Sequence, residues 1–562
     1  MVEWLVSIFR THVEIPLFLC LAIGYFVGKL KVRGLSLGDV TATLLAGLVI
    51  GQLGITVSPD IKTVFFVLFL FSVGYSAGPQ FVRGLFSGGA SQAVFACVVC
   101  GLCLGSVLLV AWLAGTNLGT TAGLFAGATT TSSALGLSTT AIDRLNLSPE
   151  AMNAVSQLMP AAFAVSYIVG TFGSVLILGI IGPAVMRIDL AAACRAYAER
   201  MGGTSDPSGR GTAWHQYVAR AYRIEADSPL AGKTSAEIEA MFPQYRLFVV
   251  RLRRASEIIE ATSATVIQGG DVVAISGTRS TLLDVVGHVF TEVDDPELLR
   301  VPVEGTDILI TSRQLVGKSL AQLAHLPEAR GIFLTQIHRG AMAVSIPILP
   351  ATTLYRGDIL TVVGRPADIS AAARKFGYAD RETDRADVSF IGIAIAAGAI
   401  LGSLTWKVGE VPLTLSTAGG VLLVGLLLGW LRSVRPAFGR VPRATGWFMN
   451  SVGLNMFIAV IGLSAGPGVL HGLQELGFAF VLWSVVATSV PLFAAILIGR
   501  YLFRFDDAIL FGCCAGARSG SAALSMVLDR AESQVPALGY SVAYATSSTI
   551  LTLFGMVIVL LS

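Results

Sequence analysis

Apolar residues gather in blocks of about 20 at both ends of the chain, the length at which a helix crosses the hydrocarbon core of a bilayer. The blocks lie near residues 13–30, 36–54, 61–78, 91–114 and 161–183, and again near 388–405, 412–430, 447–466, 475–499 and 537–561. Each predicts a spanning helix, so the expected fold class is a polytopic α-helical membrane protein. Two stretches interrupt the pattern, each just before the last block of its set. Gly123–Gly136 reads GLFAGATTTSSALG and Gly512–Ser525 reads GCCAGARSGSAALS. Both are too polar and too glycine-rich for a lipid-facing helix.

The two sets share sequence as well as plan. GATTTSSAL (Gly127–Leu135) aligns with GARSGSAAL (Gly516–Leu524), VGYSAGP (Val73–Pro79) with IGLSAGP (Ile461–Pro467), and LAGLVIGQLG (Leu45–Gly54) with LVGLLLGWLR (Leu423–Arg432). Three matches in one order indicate a duplication of about five spans plus one interrupted segment. Lysine and arginine placement orients the copies, because cytoplasmic loops carry the excess of positive charge. In the first set positives follow the first, third and last spans (Lys29, Lys31, Arg33; Arg83; Arg187, Arg195, Arg200). In the second they follow the second and fourth (Arg432, Arg435, Arg440, Arg443; Arg500, Arg504). The parity flips. The halves are therefore expected to be inverted repeats with re-entrant polar stretches, both termini outside and the region between them cytoplasmic. Ile15–Val27 is followed by lysines rather than a small-residue cleavage site, so it reads as a span and not as a signal peptide. Inverted repeats suit a transporter that opens a midplane site alternately to each side. Irregular backbone is tolerated there because it lines a cavity rather than lipid.

Between the sets, from about Arg195 to Asp387, charge is concentrated. This insert reads as two tandem copies of a small α/β module. LAGKTSAEI (Leu230–Ile238) matches LVGKSLAQL (Leu315–Leu323), LFVVRLRR (Leu247–Arg254) matches IFLTQIHR (Ile332–Arg339), and GGDVVAISG (Gly269–Gly277) matches RGDILTVVG (Arg356–Gly364). The expected domains are an N-terminal transmembrane repeat 1–190, a linker 191–214 containing GGTSDPSGRG, modules 215–295 and 296–380, and a C-terminal transmembrane repeat 386–562.

Composition narrows the function classes. Of 562 residues, 54% are hydrophobic and only 13% charged, against about 25% charged in soluble domains. Net charge is +3 with no basic run that would hold nucleic acid. Cys97, Cys100 and Cys103 form a helical stripe without polar ligands, which fits small buried hydrophobes rather than a metal site. The six histidines fall outside the apolar blocks. No nucleophile–base set, no GxGxxG and no GxxxxGK[ST] phosphate loop is present, so no enzyme, cofactor, metal or ATP-driven transport is expected.

These residues resemble the aspartate:alanine exchanger family of bacterial secondary transporters. The resemblance rests on SAGP in both halves, on GATTTSSAL with GARSGSAAL, and on two central modules similar to the TrkA-C/RCK-C regulatory domains of potassium systems. It covers essentially the whole chain. It implies a multi-pass bacterial inner-membrane antiporter that forms a homodimer, with the central modules cytoplasmic and open to an unknown regulatory ligand. It further implies exchange of aspartate for alanine, or alternatively export or exchange of succinate-like dicarboxylates. A channel or sensor gated by the modules is a third reading, opposed by the lack of a carbonyl filter sequence.

Arg518 is the first candidate for chemistry. An arginine inside a membrane segment is costly and usually functional, and its planar fork matches a carboxylate. Ser519, Gly520 and Ser521 follow it, and Thr129, Thr130, Thr131, Ser132 and Ser133 form the equivalent stretch. Hydroxyls and exposed backbone N–H groups at a half-helix N-terminus bind carboxylate oxygens. The SAGP motifs, Ser76, Gly78 and Pro79 with Ser464, Gly466 and Pro467, are expected to break helices and act as hinges, since proline gives no backbone hydrogen bond. Asp143–Arg144 and Asp529–Arg530 are expected to cap the polar stretches as ion pairs.

Overall fold

The computed structural model describes residues 2–32, 35–36, 38–86, 89–145, 148–202, 217–226, 228, 230–242, 247–278, 282, 290–340, 344–380, 386–408, 411–414, 416–435 and 439–561. Residues 203–214 of the expected linker, 215–216 at the start of the first module and 381–385 of the charged run after the second module lie outside these. The chain divides into two compact units, residues 1–200, 339–347 and 383–562, and residues 201–338 and 348–382.

The first half begins with α1 (Val2–Thr11) and α2 (Glu14–Gly28), then a short strand pair, β1 (Lys31–Val32) and β2 (Leu35–Ser36). Helices α3 (Asp39–Gly51), α4 (Pro59–Phe86) and α5 (Ala90–Ala114) follow. The interrupted stretch forms α6 (Leu118–Ala128) and α7 (Ser132–Ile142), each 11 residues. Helix α8 (Pro149–Leu176) runs through a π turn at Ile177–Ile181 into α9 (Gly182–Met186), and α10 (Leu190–Arg200) ends the half.

The insert forms two copies of one small fold. The first has β3 (Tyr217–Arg223), α11 (Ser235–Ala240), β4 (Phe248–Arg254), β5 (Glu257–Glu260), β6 (Val272–Thr278) and β7 (Thr291–Val293). The second has β8 (Glu304–Ile310), α12 (Leu320–Ala324), β9 (Ile332–Arg339), β10 (Val344–Ile346), β11 (Ile359–Gly364), α13 (Pro366–Phe376) and β12 (Gly377–Asp380). The sheets have matching orders, β5-β4-β6-β3-β7 and β10-β9-β11-β8-β12. Local chemistry repeats too. Thr234 with Glu237 and Ser319 with Gln322 each form a capping box, which satisfies two orphan N–H groups at a helix start. The copies are joined through Arg330, which donates to both Glu239 carboxylate oxygens at 2.6 and 2.9 Å. Burial pushes the Glu239 carboxyl above the usual range, and the Arg330 guanidinium pulls it back down. The RLRR run is neutralised within the insert, with Arg251 on Glu260, Arg253 on Asp295 and Arg254 on Asp271.

The second half contains α14 (Val388–Ser403), a hairpin of β13 (Thr405–Val408) and β14 (Val411–Thr414), and α15 (Ser416–Val434). Helix α16 (Arg443–Leu497) is broken at Gly477, where φ is 62°. Another 11-residue pair follows, α17 (Asp507–Ala517) and α18 (Ser521–Ala531), and then α19 (Ala537–Leu561). Among the described residues, 7 helical spans are long and apolar enough to cross a membrane. The spans expected near 13–30, 36–54 and 388–405 are shorter, with 15, 13 and 16 helical residues.

The halves interlock through matching glycines. In one crossing Gly47 and Gly51 of α3 meet Gly462 and Gly466 of α16. In the other, Gly425 and Gly429 of α15 meet Gly74 and Gly78 of α4. Here the structure corrects the reading of SAGP. Neither Pro79 nor Pro467 ends its helix: α4 runs on to Phe86, and α16 stays helical past Pro467 up to its break at Gly477. Proline has no N–H for the carbonyl four residues back, which is Tyr75 O in one helix and Leu463 O in the other. Those two carbonyls face Gly429 and Gly51, where an added methyl would collide with them. The motif is thus a helix-crossing device, in which bare glycine backbone packs on carbonyls that proline has left outside the helical ladder.

Candidate functional site

Each interrupted stretch is a helix, a three-residue turn and a second helix. The turns, Thr129–Thr131 and Arg518–Gly520, share one geometry. Thr130 N–H donates to Gly127 O and Thr131 N–H to Ala126 O; Ser519 N–H donates to Gly516 O and Gly520 N–H to Ala515 O. This is the Schellman pattern, which needs a left-handed residue normally supplied by glycine. Here Thr130 (φ 54°) and Ser519 (φ 48°) take it instead. The incoming helices are also held alike. Asn117 Oδ1 accepts from Thr120 N–H at 2.8 Å, and Asp506 Oδ1 accepts from Ala508 N–H at 3.0 Å. Gly123 and Gly127 let α6 lie on α8, and Gly512 and Gly516 let α17 lie on α19. The turns meet where the Thr131 and Ser519 hydroxyls share a hydrogen bond of 3.1 Å.

A left-handed conformation costs a non-glycine residue about 1–2 kcal/mol, and such strain gathers at functional sites. Thr130→Gly is expected to raise thermal stability by about 1 kcal/mol while slowing transport. A melting curve beside a transport assay checks this. A variant that melts earlier than the parent would show that the turn is unstrained.

Beside the turns is a cavity of about 240 Å³. Of the candidate residues, Thr130, Thr131, Ser132, Ser133, Ser519, Gly520 and Ser521 line it, and Thr129 and Arg518 do not. Thr129 instead returns its hydroxyl to Phe125 O at 2.7 Å. Arg518 is 1% exposed, and its guanidinium donates to Thr488 O at 3.1 Å and to Ala128 O. In this conformation the guanidinium gives two of its five N–H groups to backbone carbonyls and does not line the cavity. Arg518 Nε has no partner, and no ion pair to Arg518 occurs among the described residues. Among the described residues its charge has no acidic counter-ion and is offset only by backbone carbonyls, including those at helix ends, and it adjoins Ser519 and Gly520 in the chain. Ser76, Gly78, Pro79, Ser464, Gly466 and Pro467 lie at the helix crossings and not on the cavity.

The cavity wall contains polar groups that the sequence reading passed over. Tyr167 and Tyr544 line it, as do Thr171 and Ser548, together with Ser174 and Asn450. The two tyrosines are separated by the same number of residues as Thr171 and Ser548, a periodicity that extending the repeat alignment into α8 and α19 would have revealed. Ser174 is 4% exposed and its hydroxyl has no partner, nor has that of Thr171. Among the described residues, no charged side chain lines the cavity. The first turns of α7 and α18, at Ser132–Ser133 and Ser521–Ala522, open onto it, so their orphan N–H groups and positive dipole ends do too. The chemistry offered is that of an anion site built from neutral donors, with one buried positive charge beside it. No group of three or more metal-ligating side chains occurs among the described residues.

Comparison with known proteins places this geometry. A family model described as a predicted permease membrane region matches residues 16–183 and 390–560, and the TrkA-C domain model matches residues 219–286 and 307–377. An uncharacterized transporter of Shewanella oneidensis is 48% identical over 561 residues, covering 100% of both chains. An uncharacterized transporter of Bradyrhizobium diazoefficiens is 35% identical over 520 residues, covering 92% of this chain and 100% of the relative. One of Bordetella parapertussis is 35% identical over 567 residues, covering 99% and 98%. No solved structure matches the chain. Split membrane region, paired central domains and full-length relatives agree: the chain is a multi-pass membrane transporter and belongs to the aspartate:alanine exchanger family, with two central TrkA-C domains.

Proposed function

We propose that the protein is a secondary antiporter of small carboxylates, with aspartate and alanine as the favoured pair, working by alternating access at the cavity between the two half-helix turns. One observation carries this reading: a buried Arg518 with no acidic counter-ion among the described residues, beside a neutral, hydroxyl-lined cavity onto which two helix N-termini open. Such a site rewards a carboxylate without the desolvation cost of an exposed cation inside the membrane. At about 240 Å³ it is smaller than the roughly 300–1,000 Å³ of sites for drug-sized ligands, which favours a small metabolite. The matching contacts of the halves support repeats of opposite orientation. The lysine and arginine clusters then put the TrkA-C domains in the cytoplasm of a bacterial inner-membrane protein. A homodimer and a regulatory ligand on those domains belong to the same reading.

A second reading, exchange of succinate-like dicarboxylates, is favoured by the lack, among the described residues, of an acidic side chain on the cavity to receive an ammonium group. Asn450, with no counterpart hydroxyl in the other half, is the polar group placed to discriminate. Counterflow in proteoliposomes separates the two. Vesicles loaded with unlabelled aspartate, alanine or succinate receive labelled aspartate outside. Uptake driven by internal aspartate and alanine supports the exchanger. Uptake driven by aspartate and succinate alone moves the assignment to dicarboxylates, and none with any of the three removes the carboxylate assignment.

A further inference from the structure

The two halves match in their helix crossings and turns, yet the cavity treats them unequally. By the SAGP alignment, Phe69 corresponds to Phe457, Phe66 to Leu454 and Lys62 to Asn450. On one side of the turns Phe69, Leu454 and Asn450 all line the cavity. On the other side their counterparts are shut. Phe66 stacks on Phe457 with ring centroids 4.5 Å apart, both rings are buried, and Phe66 also lies against Gly136. Lys62 forms an ion pair of 3.5 Å with Asp143, at the C-terminus of α7. The half-helices show the same inequality. Ser132, Ser133 and Gly136 of α7 are buried, whereas Ser521, Ala522 and Ser525 at the equivalent positions of α18 are exposed. Ser133 is tied to Thr552, and Ser138 to Gly555 O, both at 2.6 Å; the equivalents Ala522 and Val527 have no hydroxyl with which to do this.

Two equivalent halves in unequal states are one snapshot of a two-state machine. Exchanging the conformations of the halves generates the other state. We propose that Phe66, Phe457, Lys62 and Asp143 form a gate, closed in this structure. In the opposite state the equivalent gate closes from Leu454, Phe69, Asn450 and Glu532. This rests on the alternating-access reading of the cavity. Val40 and Asn450 line the cavity and follow the Lys29–Arg33 and Arg432–Arg443 clusters by seven residues, so by the placement of those clusters the closed gate faces away from the cytoplasm. A lysine–aspartate pair whose aspartate is exposed and whose lysine is half-buried is weak enough to break in every cycle, while the aromatic stack supplies the seal.

Disulfide trapping tests the gate. Two double variants, Lys62→Cys with Asp143→Cys and Asn450→Cys with Glu532→Cys, are made in Cys97→Ser protein, since Cys97 is exposed and the other six native cysteines are buried. At rest and without substrate, the first pair is expected to cross-link at least about tenfold faster than the second. Adding Lys62→Gln to the second pair is expected to speed its cross-linking several-fold by weakening the closed gate. Cross-linking the first pair is expected to stop counterflow, and reductant to restore it. Equal rates at rest, indifference to Lys62→Gln, or undiminished exchange by the locked protein would each overturn the gate. The first two readouts need no substrate, so they judge the gate even if wild-type protein exchanges none of the three compounds and the carboxylate reading fails.

Discussion

Replacing Arg518 by alanine is expected to lower counterflow by about a hundredfold and to lower the melting temperature. The guanidinium bridges Ala128 O, one of the orphan carbonyls at the C-terminus of α6, and Thr488 O within α16. Hydrogen bonds to charged groups are worth about 1.5–3 kcal/mol each. Losing two therefore threatens the position of the first half's turn by about 3 kcal/mol or more, and about 1.4 kcal/mol is already tenfold in rate. The positive field beside the cavity disappears as well. Arg518→Lys separates the contributions, because an ammonium keeps the charge but lacks the fork that spans both carbonyls. It is expected to retain part of the substrate affinity and little of the added stability. Initial rates per amount of reconstituted protein, set beside melting curves, measure both. Wild-type exchange by Arg518→Ala would remove this residue from the mechanism.

The second large effect falls on the helix crossings. Gly51→Ala and Gly429→Ala are each expected to cost about 3 kcal/mol, because the new methyl meets the Leu463 or Tyr75 carbonyl rather than a side chain that can rotate away. The double variant is expected to yield no monodisperse protein. Gly101→Ala and Gly105→Ala provide the contrast. Nothing lies within 4 Å of a methyl built at either position, so the ordinary helix preference for alanine is expected to stabilise by about 0.5–1 kcal/mol. Detergent-solubilised thermal stability, read by size-exclusion fluorescence, ranks all four. Tolerance of Gly429→Ala would mean that the crossing is looser than the packed backbones imply.

Much of this architecture was legible in the chain. Apolar blocks near 20 residues, charge confined to the insert and paired motifs such as GATTTSSAL and GARSGSAAL are local or periodic features, and a sequence displays such features directly. The landmarks of the two modules reappeared as matching sheet orders and capping boxes for the same reason. SAGP was misjudged because the sequence contains only half of the feature. Proline's missing N–H predicts a break, but the facing glycine that makes a continuous helix tolerable lies about 350–410 residues away in the chain.

The membrane class, the internal repetition, the tandem insert and the two polar stretches follow from the chain alone, because hydrophobic length and internal repetition are properties of one dimension. What Arg518 touches, why Tyr167, Tyr544 and Asn450 share a wall with the turns, and that Phe66 stacks on Phe457 emerge only from the folded packing. Those outcomes depend on distances between segments hundreds of residues apart. The halves share their motifs but differ at positions such as Ser133 and Ala522, and what those differences do depends on the packing of one half against the other.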